Sequence, residues 1–320
     1  MLFRSGPDFI WNSNYTSFWR DEGVTAQRID LMPSLSTGIP LSRYLESNFS
    51  AGVRNTSYLI DDNGAAEWQD VTSKNRFLYT LNSEVGTTLM RDFSVDFDEV
   101  SGLGHTLRPF VAYEYTGIPD EKVLPIFDPI DDLEEENAVY LGVNNFFAIS
   151  GERNGRSFER DYLYFKVKQG YDFRSTESDT PLTPVEAETG WYPFERARIK
   201  YLTKVDVYGD GMYYHSVDGD YMDSAGDRFS LDYRFNEETE TNSIKGSFWY
   251  LLPYNLAAGY SLERSIEDKE TIEEVVRLRW TQPCWSVELS SHSESGDNAY
   301  MITFRLANIG SPFGAEFGGN

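Results

Sequence analysis

From Asp161 to Phe173 the chain reads DYLYFKVKQGYDF, with Leu163, Phe165, Val167, Tyr171 and Phe173 on odd positions and Lys166, Lys168 and Asp172 on even ones. Successive side chains of a strand point to opposite faces, so this spacing predicts a ribbon with one apolar and one charged face. The alternation recurs along the chain. RFSLDYRF (228–235) sets Phe229, Leu231, Tyr233 and Phe235 against Ser230, Asp232 and Arg234. AYMITFRLANI (299–309) sets Tyr300, Ile302, Phe304 and Leu306 against Thr303, Arg305 and Ala307. Helical periodicity is scarce, and dyad patterning of this kind argues strand. It predicts sixteen strands: 10–20, 26–38, 48–60, 76–95, 104–116, 138–150, 160–174, 194–202, 205–216, 218–223, 228–236, 242–252, 255–265, 271–282, 285–292 and 298–309.

Most of these are long enough to cross a bilayer when tilted, which takes about 9–11 residues. Strands of soluble sandwiches are typically about 5–6 residues long. The connections are of two kinds. Those at 225–227, 253–255 and 283–284 are tight, whereas 61–75, 117–137 and 175–193 are long and polar. With the last strand descending to the periplasm, the long connections fall outside and the tight ones inside, the asymmetry expected of outer-membrane barrels. No repeat of fixed period and no low-complexity linker marks a domain boundary.

Charge narrows the partners. Asp and Glu number 52 against 28 Lys and Arg, a formal net charge of -24. No basic patch is left to neutralise nucleic-acid phosphates, and no polybasic segment to dock on an anionic leaflet. No window approaches 18 uncharged apolar residues, which argues against a transmembrane helix. A membrane barrel stays open, because only alternate strand residues meet lipid. The start, MLFRSGPDFIWNSNY, lacks the basic region, apolar run and small-residue cleavage site of a signal peptide. Cys284 is the single cysteine, so no internal disulfide can form.

Catalytic signals are sparse. His105, His215 and His292 lie far apart without HxxxH or HExxH spacing, and there is no GxSxG elbow, P-loop or GxGxxG before a helix. No catalytic residue, metal or cofactor is expected. The runs DDLEEEN (131–137) and DGDYMDSAGD (218–227) read as solvated loop or turn, with a divalent cation as the alternative. Lys166, Lys168, Arg198, Lys200, Arg277, Arg279 and Arg305 are interleaved on predicted strands. Each would cost about 2–4 kcal/mol at the midplane of a lipid face. They are therefore expected on a wet face, either pairing with neighbouring Asp and Glu or contacting a phosphorylated ligand.

The segment GLGHTLRPFVAYEYTGIPDEKVLPIFDPIDDLEEENAVYLGVNNFFAI (102–149) resembles the LptD family of LPS-assembly outer-membrane proteins, also called OstA, organic solvent tolerance protein. The family pattern runs through Thr106-Leu107-Arg108-Pro109, Tyr113 to Tyr115, Pro125-Ile126-Phe127-Asp128 and Gly142 to Phe146. QRIDLMPSLS (27–36) and RNTSYLI (54–60) also fit. RLRWTQPCWSVELS (277–290) is similar to the family's turn at Cys284 and Trp285, and ITFRLANIGSPFG (302–314) to its closing strand and tail. The resemblance implies a barrel of about 26 strands, an N-terminal periplasmic jellyroll, and a lipoprotein plug, LptE, in the lumen. It further implies lipopolysaccharide received over a periplasmic bridge, LptA, and released sideways between the first and last strands. On that pattern Tyr300, Ile302, Phe304 and Leu306 belong to one lip of the gate. The family often carries two adjacent cysteines before the Trp, joined by disulfide to the periplasmic domain. Pro283 takes the first position here, leaving Cys284 either a partner outside this chain or a free thiol.

These readings predict an all-β, antiparallel transmembrane β-barrel, integral to the Gram-negative outer membrane and not an enzyme. Residues 1–320 are expected to be the C-terminal portion of a larger barrel, with the jellyroll and first strands outside the chain. The expected partners are lipopolysaccharide, LptE, LptA and outer-membrane lipid, and no nucleic acid. The alternatives are a general porin or substrate-specific channel, for which sixteen strands is a natural size, and a soluble β-rich carbohydrate-active enzyme.

Overall fold

The computed structural model describes residues 6–20, 23–39, 41–65, 68–119, 124–128, 130–174, 180–209, 211–294, 297–306 and 313–317, the last by backbone alone. They form an antiparallel sheet of eighteen strands. These are β1 (Asp8–Phe18), β2 (Thr25–Thr37), β3 (Glu46–Asp61), β4 (Ser73–Gly86), β5 (Leu89–Phe97) and β6 (Val100–Gly117). There follow β7 (Glu136–Arg153), β8 (Arg156–Asp172), β9 (Val185–Trp191), β10 (Ala197–Val205), β11 (Met212–Met222) and β12 (Arg228–Asn236). The last six are β13 (Thr241–Leu252), β14 (Leu256–Ser265), β15 (Thr271–Thr281), β16 (Trp285–Glu294), β17 (Asp297–Leu306) and β18 (Phe313–Phe317). The chain divides into two compact units, one of residues 1–90, 107–144 and 168–183, the other of 91–106, 145–167 and 184–320.

In the first unit β1, β2, β3, β4 and β6 pair in that order. The register sets Arg28 beside Tyr58 and Lys74, and Asp30 beside Thr56 and Arg76. These even positions share one polar face, and the odd positions Ile29, Leu59 and Phe77 stand exposed on the other. The predicted strand 76–95 is divided. β4 pairs β6 as far as Gly86 opposite Phe110, and the ladder then lapses at Thr87 and Thr88. There the Thr87 N–H donates to the Pro109 carbonyl at 3.2 Å, but proline has no N–H to return.

In the second unit β9 to β18 form a continuous series of antiparallel ladders. Burial in these ladders is inside-out. Leu231, Phe248, Val276, Leu278, Leu289 and Ile302 share a face and are 43 to 49% exposed. On the opposite face Ser216, Ser243, Ser261 and Ser290 are buried. Side chains converge on the concave side of a curved sheet and splay on the convex side, so small hydroxyls suit the former. A soluble barrel would bury the leucines instead.

Two boundaries differ from the sequence reading in compensating ways. The predicted strands 205–216 and 218–223 are one strand, β11, preceded by a connection in which the Asp206 N–H donates to the Gly211 carbonyl at 2.7 Å. Within the predicted connection 175–193 lies β9, whose VEAETGW carries charges on the polar face and so lacks a strong apolar alternation. The two errors cancel in the count. In the first unit β3 and β6 both run antiparallel to β4, so the long connections that follow them share one end of its strands. In the second unit the tight turns at 223–227, 253–255 and 282–284 share one end of the ladders. β7 and β8 join through Asn154 and Gly155 at φ 53 and 74, the left-handed pair that a two-residue hairpin turn requires. β18 lies one strand beyond the predicted last one.

Candidate functional site

The most enclosed polar chemistry belongs to the first unit, where the connection between β6 and β7 lies against the polar face of β2, β3 and β4. Arg28 donates through both terminal nitrogens to Asp128 at 2.7 Å each, and through Nη1 to Asp131 at 2.7 Å. Tyr58 O–H also donates to Asp131. The other Asp131 oxygen accepts the Phe127 and Asp128 N–H groups at 2.8 and 3.1 Å. Arg76 donates to the Asp131 and Ile130 carbonyls at 2.7 and 2.5 Å. Behind them Arg54 and Thr56 hold Asp30. Arg28, Arg54 and Arg76 thus meet Asp30, Asp128 and Asp131, a buried cluster of zero net charge in a chain of -24.

Apolar contacts complete the anchor. Phe127 stacks on Phe18 with centroids 4.2 Å apart, and Pro125 and Leu124 are buried, Leu124 in a cluster with Tyr58, Ile60 and Trp68. The family-motif residues Pro125, Phe127 and Asp128 therefore come together as the strap of this loop. The Arg28 guanidinium holds the Asp128 carboxyl below its ordinary 3.8, since hydrogen bonding and charge both favour the ionised form. The reading of 131–137 as a solvated acidic loop is corrected at Asp131, which is fully buried and hydrogen-bonded on both oxygens, whereas Asp132 and Glu134 are exposed. The sequence carried the dyad spacing of Arg28 and Asp30, but not which loop meets them.

In the second unit the predicted basic residues lie on the polar face, and most of them are paired. Lys166 and Lys200 flank Glu188 at 3.2 and 3.0 Å, and Arg198 pairs with Asp220. Lys245 bridges Glu263 and Glu273. Arg279 donates to Glu288 at 2.7 Å and lies 4.6 Å from the Trp249 ring centre. In the first unit, Lys168 lies 5.0 Å from the Tyr140 ring centre. A groove of about 910 Å³ on the polar face is lined by Arg228, Arg277, Arg279, Arg305, Trp249 and Glu288, among others. Its wall depends on Gly259, where a Cβ would come within 2.5 Å of the Trp249 ring.

The remaining predicted positions fall elsewhere. Tyr300, Ile302 and Leu306 are exposed on the apolar face of β17, with Phe304 half-buried beside Trp285. β18 pairs with β17 from Tyr300 to Phe304, so the predicted strand is followed by a further one. Cys284 is an exposed free thiol in the turn before Trp285. His292 lies 3.5 Å from both Glu273 and Glu294, His105 contacts Asn145, and His215 stacks on Phe235. Among the described residues no group of three or more His, Cys, Asp or Glu is placed to hold a metal. Asp223 in the 218–227 run caps its own turn, accepting the Ala225, Gly226 and Asp227 N–H groups.

No curated protein matches the chain. A family model, described as LPS transport system D, matches residues 1–266, from before β1 to the end of β14. The motif-like stretches at 277–290 and 302–314 lie beyond that span. The match takes in most of the chain, including both the strap 125–131 and the arginine pocket that receives it, and the chain belongs to the LptD family.

Proposed function

We propose that this chain is the barrel component of a translocon that inserts lipopolysaccharide into the outer leaflet. Its family is a transport and assembly family of the outer membrane and not an enzyme family. One observation supports the reading above others: large apolar side chains are exposed on one face of the β9–β18 ladders while serines are buried on the other. Hydrocarbon would face the first and a wet lumen the second. The lumen then takes the sugar and phosphate head of the glycolipid, and the acyl chains leave through a weakly paired seam. The short β18, with five residues paired to β17, gives such a seam few backbone hydrogen bonds to break. Tyr300, Ile302, Phe304 and Leu306 would line its lipid side. LptE in the lumen and LptA on the periplasmic side are the proposed partners.

A lipid-soluble photoprobe in native envelopes tests the orientation. It should label Leu278, Leu289 and Ile302 and spare Ser261 and Ser290. Depletion of the chain should then remove newly made lipopolysaccharide from the cell surface. Unlabelled leucines would overturn the membrane reading. Ion conductance with undisturbed lipopolysaccharide delivery would replace the transporter by a general channel.

A further inference from the structure

The polar face of β12 to β17 carries an asymmetry that pairing does not explain. Arg279 is satisfied by Glu288, and the lysines and arginine at 166, 198, 200 and 245 each have a carboxylate. Arg228, Arg277 and Arg305 line the same groove, and among the described residues none of them has a carboxylate within ion-pair distance. The strand register explains how they meet. Arg228 is directly opposite Trp249, and Arg277 directly opposite Gly259, itself opposite Trp249. Gly259 lets the indole lie against the wall, so the two arginines flank an open floor. Arg305 lies on β17 opposite Ser286, on the same face.

Four arginines against Glu288, Glu294 and Asp297 leave the lining net positive in a chain of net charge -24. Unpaired guanidiniums so placed are suited to a planar or tetrahedral oxyanion, which they bind through forked N–H donors. The rest of the lining mixes hydroxyl, amide, imidazole and carboxylate groups, from Ser290, Asn298, His292, Glu294 and Asp297, with the apolar Val275, Ala299 and Met301. The polar groups accept and donate hydrogen bonds to a hydroxyl-rich ligand. A volume of about 910 Å³ takes more than a bare ion.

We propose that Arg228, Arg277 and Arg305 form a binding site for the phosphate of a phosphorylated saccharide on the lumenal face of β12 to β17. It rests on the transport reading only for the source of that saccharide, the phosphorylated sugars of the cargo. The test uses the purified full chain in detergent and equilibrium dialysis with three probes: glucose 1-phosphate, inorganic phosphate, and phosphatidylglycerol in mixed micelles. Glucose 1-phosphate should bind most tightly. The triple variant Arg228→Gln, Arg277→Gln, Arg305→Gln should weaken it at least thirty-fold, while Lys166→Gln, at a paired lysine, should change it less than two-fold. Heat-modifiable migration on gels verifies that each variant is folded. Equal binding by the triple variant and the unaltered chain overturns the site, as does tighter binding of inorganic phosphate or of phosphatidylglycerol. A photocrosslinker at Met301, on the groove wall, should capture lipopolysaccharide in cells and lose it in the triple variant. Capture unaffected by the triple variant would overturn the assignment to cargo while leaving the transport reading intact.

Discussion

Replacing Arg28 with methionine keeps the length of the side chain and removes its charge. The Arg28 side chain is 2% exposed, that of Asp131 is 0% and that of Asp128 is 31%. Breaking a buried ion pair typically costs about 3–5 kcal/mol, because the partner left behind stays desolvated. Here Asp131 keeps the Tyr58 O–H and two backbone N–H groups, and Asp128 can rehydrate at the surface. The loss should therefore lie near the lower end, about 3 kcal/mol. That free energy holds the strap against the strands, not the strands to one another, so it should appear as local release. At tenfold per 1.4 kcal/mol, the released fraction of the loop rises about a hundredfold. Limited proteolysis between β6 and β7 reads that fraction directly when closing is faster than cleavage. The expectation is cleavage about a hundred times faster in Arg28→Met with unchanged heat-modifiability of the barrel. Combining it with Asp128→Asn should add much less than the sum of the two single effects, because both act on one interaction. An Arg28→Met chain cleaved at the original rate, or one that loses the whole barrel, would refute the strap.

Three further outcomes follow from the same geometry. The Asp128 carboxyl is held below 3.8 by Arg28, so its contribution is fully present above the unfolded value and is lost as pH falls through the lower native one. Protection of the strap from an acid-active protease should hold from neutral pH down to about pH 4 and fail only below it. Gly259→Val should force the Trp249 ring off the wall, with an overpacking loss of about 1–3 kcal/mol visible as a lower melting temperature and altered near-ultraviolet circular dichroism. Leu289→Arg on the apolar face should lose about 2–4 kcal/mol of stability in vesicles, whereas Ser286→Arg on the groove face should insert almost normally. Equal insertion of the two variants would contradict the assignment of faces.

Alternation alone determined the class of this protein. A period of two is a local property, readable wherever Phe229, Leu231 and Tyr233 interleave with Ser230 and Asp232, and it persists over strands too long for a sandwich. It did not reveal β9, because that strand spends its charges on the polar face, nor the lapse at Thr87, which is caused by a proline 22 residues downstream. Pairings across the sheet are decided by register, and register depends on partners far away in sequence. Arg28 meets Asp128 across 100 residues, and Arg228 shares a groove with Arg305 through five intervening ladders. The sequence listed both sets of charges. Only the tertiary structure decided which of them cancel in pairs and which are left facing an open groove, because an ion pair is short-ranged and needs a partner within a few ångströms.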